Sequence, residues 1–91
     1  MATERKTPVN EDIEPVTDIA DLGTYFCVTA ELPGVVEEKI RVDLDGTFLT
    51  IFASQNGKRY KKTIVIPGEV RFGKKKFRHG VLHIILEKNL T

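Results

Sequence analysis

The sequence contains little of what covalent cross-links, metal sites or catalysis need: one cysteine, two histidines and no tryptophan in 91 residues. A single cysteine excludes a disulfide within the chain. Since no hydrophobic signal segment opens the sequence, we expect a protein of the reducing cytoplasm. No apolar run approaches the roughly 18–20 residues that span a bilayer, so we expect no membrane partner. A chain of this length accommodates one domain with a modest core.

Residues that could carry out catalysis are few and badly placed. Cys27 lies within an apolar run, and nothing marks it as an activated nucleophile. His79 and His83 have the spacing of a helical metal pair, but on a strand they would lie about 13 Å apart, too far for one zinc ion. Asp43 and Asp45 share a strand face that we assign to solvent, and the glycines form no phosphate-binding motif. We therefore expect no enzyme, no metal and no cofactor.

Turn residues punctuate the chain regularly. The first five glycines, at positions 23, 34, 46, 57 and 68, are 11 or 12 residues apart, which is typical of a sandwich of short strands. In Ile40–Asp45, apolar and charged residues alternate with the period of a strand. Asn56-Gly57 and His79-Gly80 each predict a tight hairpin turn. We predict an all-β, immunoglobulin-like antiparallel β-sandwich over residues 15–91, preceded by a flexible polar arm over residues 1–14.

Two aromatic residues are predicted to point away from the core. In the run Phe48–Ser54, the smaller residues Leu49 and Ile51 alternate with Phe48 and Phe52. If the first pair faces the core, the two phenylalanines face outward. Large exposed apolar side chains on a strand indicate a contact surface. A dimer interface or a covering by the N-terminal arm would explain them as well.

Charge is distributed unevenly along the chain. Residues 1–56 carry 4 basic and 11 acidic residues, and residues 57–91 carry 10 basic and 2 acidic ones. The basic segments 58–62 and 71–78 also contain aromatic residues, as a nucleic-acid or anionic-surface binder would require. For the basic segments we favour the alternative, lysines that guard exposed strand edges, and for the asymmetry along the chain we favour charge complementarity within the sandwich.

Several short motifs follow one another in a fixed order. They are Pro15–Ile19 (P-V-T-D-I), Ala30–Val35 (A-E-L-P-G-V), Ile40–Leu44 (I-R-V-D-L), Leu49–Ile51 (L-T-I), Ile64–Pro67 (I-V-I-P) and Gly80–Ile84 (G-V-L-H-I). In this order and spacing they resemble the α-crystallin domain of archaeal and bacterial small heat shock proteins, over about residues 15–88. The resemblance implies a β-sandwich that binds other polypeptides.

The sequence departs from this family pattern at several points. Lys75 stands where the last motif of the family has alanine, and His79 stands where it has asparagine. Prokaryotic members carry a long loop whose extra strand swaps into a neighbour, whereas only Gln55–Lys58 connect the corresponding strands here. The chain reaches Thr91 without the family's I-x-I anchor, and its arm is short and polar. We therefore expect a monomer or a small dimer.

The resemblance also implies a binding groove. In the family an aliphatic groove runs between two strands that correspond here to Ile40, Val42 and Leu44 and to Phe72 and Phe77. Ordinary core positions are the alternative for these side chains. We predict an ATP-independent holdase or peptide-binding module for unfolded or partly folded polypeptides. An adaptor or co-chaperone domain that docks on a larger chaperone is the other candidate, although related sandwiches of that kind carry tryptophan motifs that this chain lacks.

Overall fold

The computed structural model describes residues 11–89, with Glu11 described by its backbone alone. Strands make up 68% of this part. The elements are β1 (Glu11–Ile13), β2 (Thr17–Asp21), β3 (Tyr25–Glu31), a 3-10 turn (Glu37–Lys39), β4 (Ile40–Asp45), β5 (Phe48–Gln55), β6 (Lys58–Val65), β7 (Val70–Arg78) and β8 (Val81–Lys88). The predicted all-β, immunoglobulin-like sandwich is confirmed.

The strands form two four-stranded sheets that pack against each other. Sheet A has the order β1-β6-β5-β4, and sheet B has the order β2-β3-β8-β7. Neighbouring strands are antiparallel except β1 and β6, which run parallel. Among the described strands, sheet A therefore ends at β1 and β4, and sheet B ends at β2 and β7, each with a neighbour on one side only.

Two tight turns set the register of the hairpins. Asn56 and Gly57 join β5 to β6 with φ angles of 53° and 78°, the left-handed pair that suits a two-residue hairpin. His79 and Gly80 join β7 to β8 with φ angles of 51° and 78°. Both predicted hairpins are confirmed. In the second turn, His79 and Gly80 both have the left-handed conformation. Histidine adopts this conformation more readily than most other residues.

Alternate residues of the central strands build the core between the sheets. On β3 and β8 these positions pair across the sheet, for example Val28 with Ile84 and Ala30 with Leu82. The buried apolar residues are Phe26, Val28, Ala30, Leu32, Val35, Ile40, Leu49, Ile51, Ala53, Tyr60, Ile66, Leu82, Ile84 and Leu86. Burying one leucine or isoleucine completely contributes about 1.5–3 kcal/mol, so these positions dominate the stability of the sandwich.

The predicted flexible arm overlaps with a strand. Glu11–Ile13 form β1 and pair with Lys58–Tyr60 at the beginning of β6. Ile13 packs against the core, and Arg59 donates a hydrogen bond of 2.9 Å to Asp12. This end of the arm is therefore paired, because an open sheet edge and an apolar anchor are both available to it. Residues 1–10 of the predicted arm lie outside the described residues, and the domain boundary at residue 15 stays a prediction.

Candidate functional site

The open edges of β4 and β7 lie on the same side of the sandwich. The end of β4 meets the beginning of β7 at a shallow cavity of about 600 Å³, whose lining includes Asp45 and Val70. At the other end, the backbone N–H of Leu32 donates a 2.7 Å hydrogen bond to the carbonyl of Gly80 in the β7–β8 turn. Leu32 begins the segment that leads into β4. The two edges therefore border one groove, which we call the β4/β7 groove.

The five residues predicted for this groove fall into different environments. Ile40 is only 5% exposed and belongs to the core, so the accessible groove is narrower than the sequence predicts. Val42, Leu44 and Phe77 are half-buried and pack against the core from its margin. Phe72 is 43% exposed. Four of the five side chains thus remain partly accessible along the groove, and binding of a ligand there stays a prediction.

A bulge in β7 determines where its two phenylalanines point. Phe72 and Phe77 are five residues apart, so a regular strand would place them on opposite faces. The pairing with β8 shifts between Phe72 and Lys74, leaving Gly73 as the extra residue. A Cβ atom at Gly73 would lie 2.9 Å from the carbonyl oxygen of Ile85, so the close approach requires glycine. Because of this bulge, both phenylalanines face the groove side of β7.

The outer face of sheet A carries a second apolar area. Phe48 is 53% exposed and Phe52 is 38% exposed, and both lie on the outer side of β5. Val65 is 64% exposed and pairs directly with Phe48. The sequence analysis did not identify Val65. Its outward position follows from strand alternation, because Val65 comes directly after the inward-facing Ile64 and is five residues from the inward-facing Tyr60. A role of this face as a contact surface stays a prediction.

Cations cover one end of that outer face. Arg41 and Lys61 pair with Phe52 from its two sides in the sheet. The Nζ atom of Lys61 lies 5.6 Å from the centroid of the Phe52 ring, close enough for a cation–π contact. Phe48 and Val65 form the open apolar end of the face, and Phe52 the partly covered end.

The basic segment 58–62 on β6 has partners within the fold. The guanidinium of Arg59 lies 2.9 Å from the carboxylate of Asp12, and Lys62 Nζ lies 3.5 Å from the carboxylate of Glu14. These contacts connect β6 to the segment around β1. Two of the four cations of this segment therefore take part in internal charge complementarity, one of the alternatives that the sequence leaves open.

The basic segment 71–78 on β7 is different. Arg71 lies 2.8 Å from the carboxylate of Glu87 on β8. The side chains of the other four cations are exposed and make no ion pair or hydrogen bond with any residue of the described part of the chain; they are Lys74, Lys75, Lys76 and Arg78. This strand therefore presents net positive charge beside the β4/β7 groove.

The remaining candidates for chemistry lie apart from one another. Cys27 is half-buried on the outer face of β3, and His83 lies on the outer face of β8, whereas His79 lies in the β7–β8 turn. Asp43 and Asp45 are exposed on the outer face of β4. Within residues 11–89, no group of three or more acidic, histidine or cysteine residues could hold a metal ion. In the same range, no helix is long and apolar enough to cross a membrane.

One well-formed ion pair lies at an end of sheet B. Lys88 Nζ is 2.6 Å from the carboxylate of Asp21 and 4.6 Å from the centroid of the Phe26 ring. The hydrogen bond from Lys88, and then the backbone N–H of Gly23, hold the pKa of Asp21 below its usual range. This pair joins the end of β8 to the end of β2, so its function is structural.

The fold is the α-crystallin-domain fold of small heat shock proteins, as its likeness to solved structures of these proteins shows. Neither the protein-family models nor the curated proteins that were compared gave a match to the sequence. Solved structures do match.

Heat shock protein 16.0 from Schizosaccharomyces pombe superposes with a TM-score of 0.78 at 24% identity, over 88% of this chain and 70% of that one. The Del-C4 mutant of hsp14.1 from Sulfolobus superposes with a TM-score of 0.73 at 26% identity, over 86% and 78% of the two chains. For hspA from Xanthomonas axonopodis the TM-score is 0.74 at 21% identity, over 84% and 94%. The fold is thus shared across nearly the whole described part of the chain.

Proposed function

We propose that this protein is an ATP-independent chaperone that binds exposed hydrophobic segments of unfolded or partly folded polypeptides. One observation carries the proposal: two open edge strands border a groove lined by the half-buried Val42, Leu44 and Phe77 and the exposed Phe72. The likeness of the fold to small heat shock proteins supports it.

The groove offers the two things that an extended segment needs. An edge strand has backbone N–H and C=O groups free to pair with an added strand. Apolar side chains beside that edge accept every second side chain of the added strand. Burial contributes roughly 25 cal/mol per Å² of apolar area, reduced by the cost of ordering the segment. No covalent bond changes, so binding and release need no nucleotide.

The outer face of sheet A is the competing site. It exposes Phe48 on β5 and Val65 on β6. β5 is hydrogen-bonded on both sides, to β4 and β6, so its backbone cannot accept another strand. Around Phe48 this face can therefore offer side-chain contacts only. We therefore assign the client segment to the β4/β7 groove and not to the outer face.

Light scattering of a heat-denatured client protein tests the proposal. The protein at several-fold molar excess should suppress the scattering without ATP. The Phe72→Ser variant in the groove should lose most of this suppression, because it removes an exposed apolar contact. Phe48→Ser on the outer face is the matched control, since the two phenylalanines are similarly exposed, and it should suppress aggregation as the parent protein does.

Circular dichroism spectra of both variants establish that they remain folded. If the folded parent protein fails to suppress scattering at several-fold excess, the chaperone function is wrong and the adaptor function is favoured. If Phe48→Ser loses suppression while Phe72→Ser retains it, the client binds the outer face of sheet A.

A further inference from the structure

β7 carries a row of cations on one face. The outward positions of β8 pair with Arg71, Lys74, Lys76 and Arg78. The Gly73 bulge makes this possible, because it changes the alternation between positions 71 and 74. Successive members of the regular part of this row are about 6.6–6.8 Å apart along the strand. β7 therefore presents an evenly spaced line of positive charge on its outer face and two phenylalanines on its groove face.

Lys75 adds positive charge to the groove face itself. It pairs with the buried Ile84, so it points to the same side of β7 as Phe72 and Phe77, and it is nevertheless exposed. It therefore lies between the two phenylalanines at the mouth of the groove. The groove face of β7 thus carries one lysine between two phenylalanines.

Four of the five cations of β7 have no ion-pair partner among residues 11–89. The fifth, Arg71, pairs with Glu87. Within residues 11–89, no acidic group makes an ion pair with Lys74, Lys75, Lys76 or Arg78. On β8, the residues opposite Lys74 and Arg78 are the uncharged Ile85 and Val81. The charge of this edge is left for a molecule outside the described fold.

We infer that the preferred ligand of the β4/β7 groove is an extended polypeptide segment in which acidic and apolar residues alternate, paired with the edge of β7. This inference rests on the proposed function and names the class of segment. Paired in register, the apolar residues enter the groove. The acidic residues then lie beside Lys74, Lys76 and Arg78 on the outer face, as opposite charges do across neighbouring strands.

The charges on β4, the other edge of the groove, explain why such a segment pairs with β7 and not with β4. The outer face of β4 carries Asp43 and Asp45, which are exposed. An acidic strand added to β4 would place like charges directly beside these two carboxylates, which is unfavourable. The same strand added to β7 meets only cations on its outer side. Charge therefore selects the edge to which the segment binds.

Binding of three short labelled peptides tests the inference. Each peptide alternates valine or leucine with one other residue: glutamate, serine or lysine. At about 50 mM NaCl the glutamate peptide should bind roughly tenfold more tightly than the serine peptide, which several exposed ion pairs together can supply. The lysine peptide should bind most weakly. At about 500 mM NaCl the difference between the glutamate and serine peptides should largely disappear, because salt screens exposed charges.

A pair of double variants locates the effect. Lys74→Glu with Lys76→Glu should abolish the preference for the glutamate peptide while the serine peptide still binds. Lys58→Glu with Lys61→Glu on β6 makes the same change in net charge and is the matched control. That control should keep the preference, because neither lysine borders the groove.

Each other outcome overturns the inference in a recognisable way. Equal binding of the serine and glutamate peptides would refute the acidic preference and leave the proposed chaperone function intact, whereas no binding of any peptide would remove both. Tighter binding of a single-stranded oligonucleotide, lost in the β7 variant, would make β7 a nucleic-acid surface. A dimer that dissociates in the β7 variant would assign the edge to a second copy of the chain.

Discussion

β6 and β7 are both rich in lysine and arginine, yet their charges have different surroundings. β1 covers the beginning of β6, and carboxylates of Asp12 and Glu14 pair with two of its cations. β7 has no strand beyond it among the described residues and one paired cation, Arg71. Two strands of similar composition therefore differ in their contacts. Two cations of β6 pair within the fold, whereas most of the cations of β7 remain available for binding.

The cost of the β7 arrangement is small, which explains how the fold tolerates it. Two unit charges about 6.8 Å apart repel by about 0.6 kcal/mol in water. Salt at physiological concentration reduces this further, since the screening length is about 8 Å. The row of cations is thus mildly destabilising in the free protein, and an acidic ligand would relieve the repulsion.

The largest difference between the two strands should appear when their aromatic residues are truncated. Tyr60 of β6 is buried in the core, whereas Phe72 of β7 is exposed beside the groove. We expect Tyr60→Ala to lower the free energy of unfolding by about 3 kcal/mol, since it leaves a cavity. Phe72→Ala should lower it by less than about 1 kcal/mol. Urea denaturation measures both, and equal losses would show that Phe72 is a core residue.

The bulge of β7 gives the next largest effect. In Gly73→Ala the new Cβ would lie 2.9 Å from the carbonyl oxygen of Ile85, a backbone atom that cannot move alone. We expect a loss of about 1–3 kcal/mol in the free energy of unfolding, as for other overpacked sites. Denaturation with urea measures it. A loss near zero would mean that β7 pairs with β8 without this close contact.

Removing single charges should change stability in opposite directions on the two strands. Arg59→Gln on β6 removes an ion pair with Asp12 and should cost up to about 1 kcal/mol. Lys76→Gln on β7 removes only repulsion and should add a few tenths of a kcal/mol, by about the amount expected for neighbouring like charges. Denaturation at low and high salt measures both, and both differences should shrink as salt rises. Changes of the same sign would contradict the contrast between the strands.

The fold was largely predictable because its signals are local. Alternation in β4 and β5 places Ile40 and Leu49 inside and Asp43 and Phe48 outside, and burial in the structure follows this pattern. Asn56-Gly57 carries the backbone angles that its hairpin needs. Such features depend on a residue and its immediate neighbours, so periodicity suffices to find them.

The site was only partly predictable because its determinants are distant in sequence. The orientation of Phe72 depends on a bulge at Gly73, and the bulge depends on contact with Ile85 on another strand. Arg59 and Asp12 are 47 residues apart, so the sequence shows two charges but not their pairing. The contrast between the basic strands could therefore not be read from composition.

The smallest expected effect on stability concerns Lys88 of β8, which pairs with Asp21. This pair tests whether an ion-pair partner, and not the position of a cation at the end of a strand, determines its effect. The pKa of Asp21 is lowered chiefly by its hydrogen bond from Lys88, so this pair stabilises the fold at pH values above the pKa of an unfolded aspartate, about 4. The contribution is lost as pH falls through the lower pKa of the folded state. Asp21→Asn should be less stable than the parent protein at pH 6, and the difference should shrink as the pH falls below about 4, as measured by urea denaturation. Lys88→Gln should move the pKa of Asp21 upward in an NMR titration, and an unchanged pKa would show that Lys88 does not hold this carboxylate in solution.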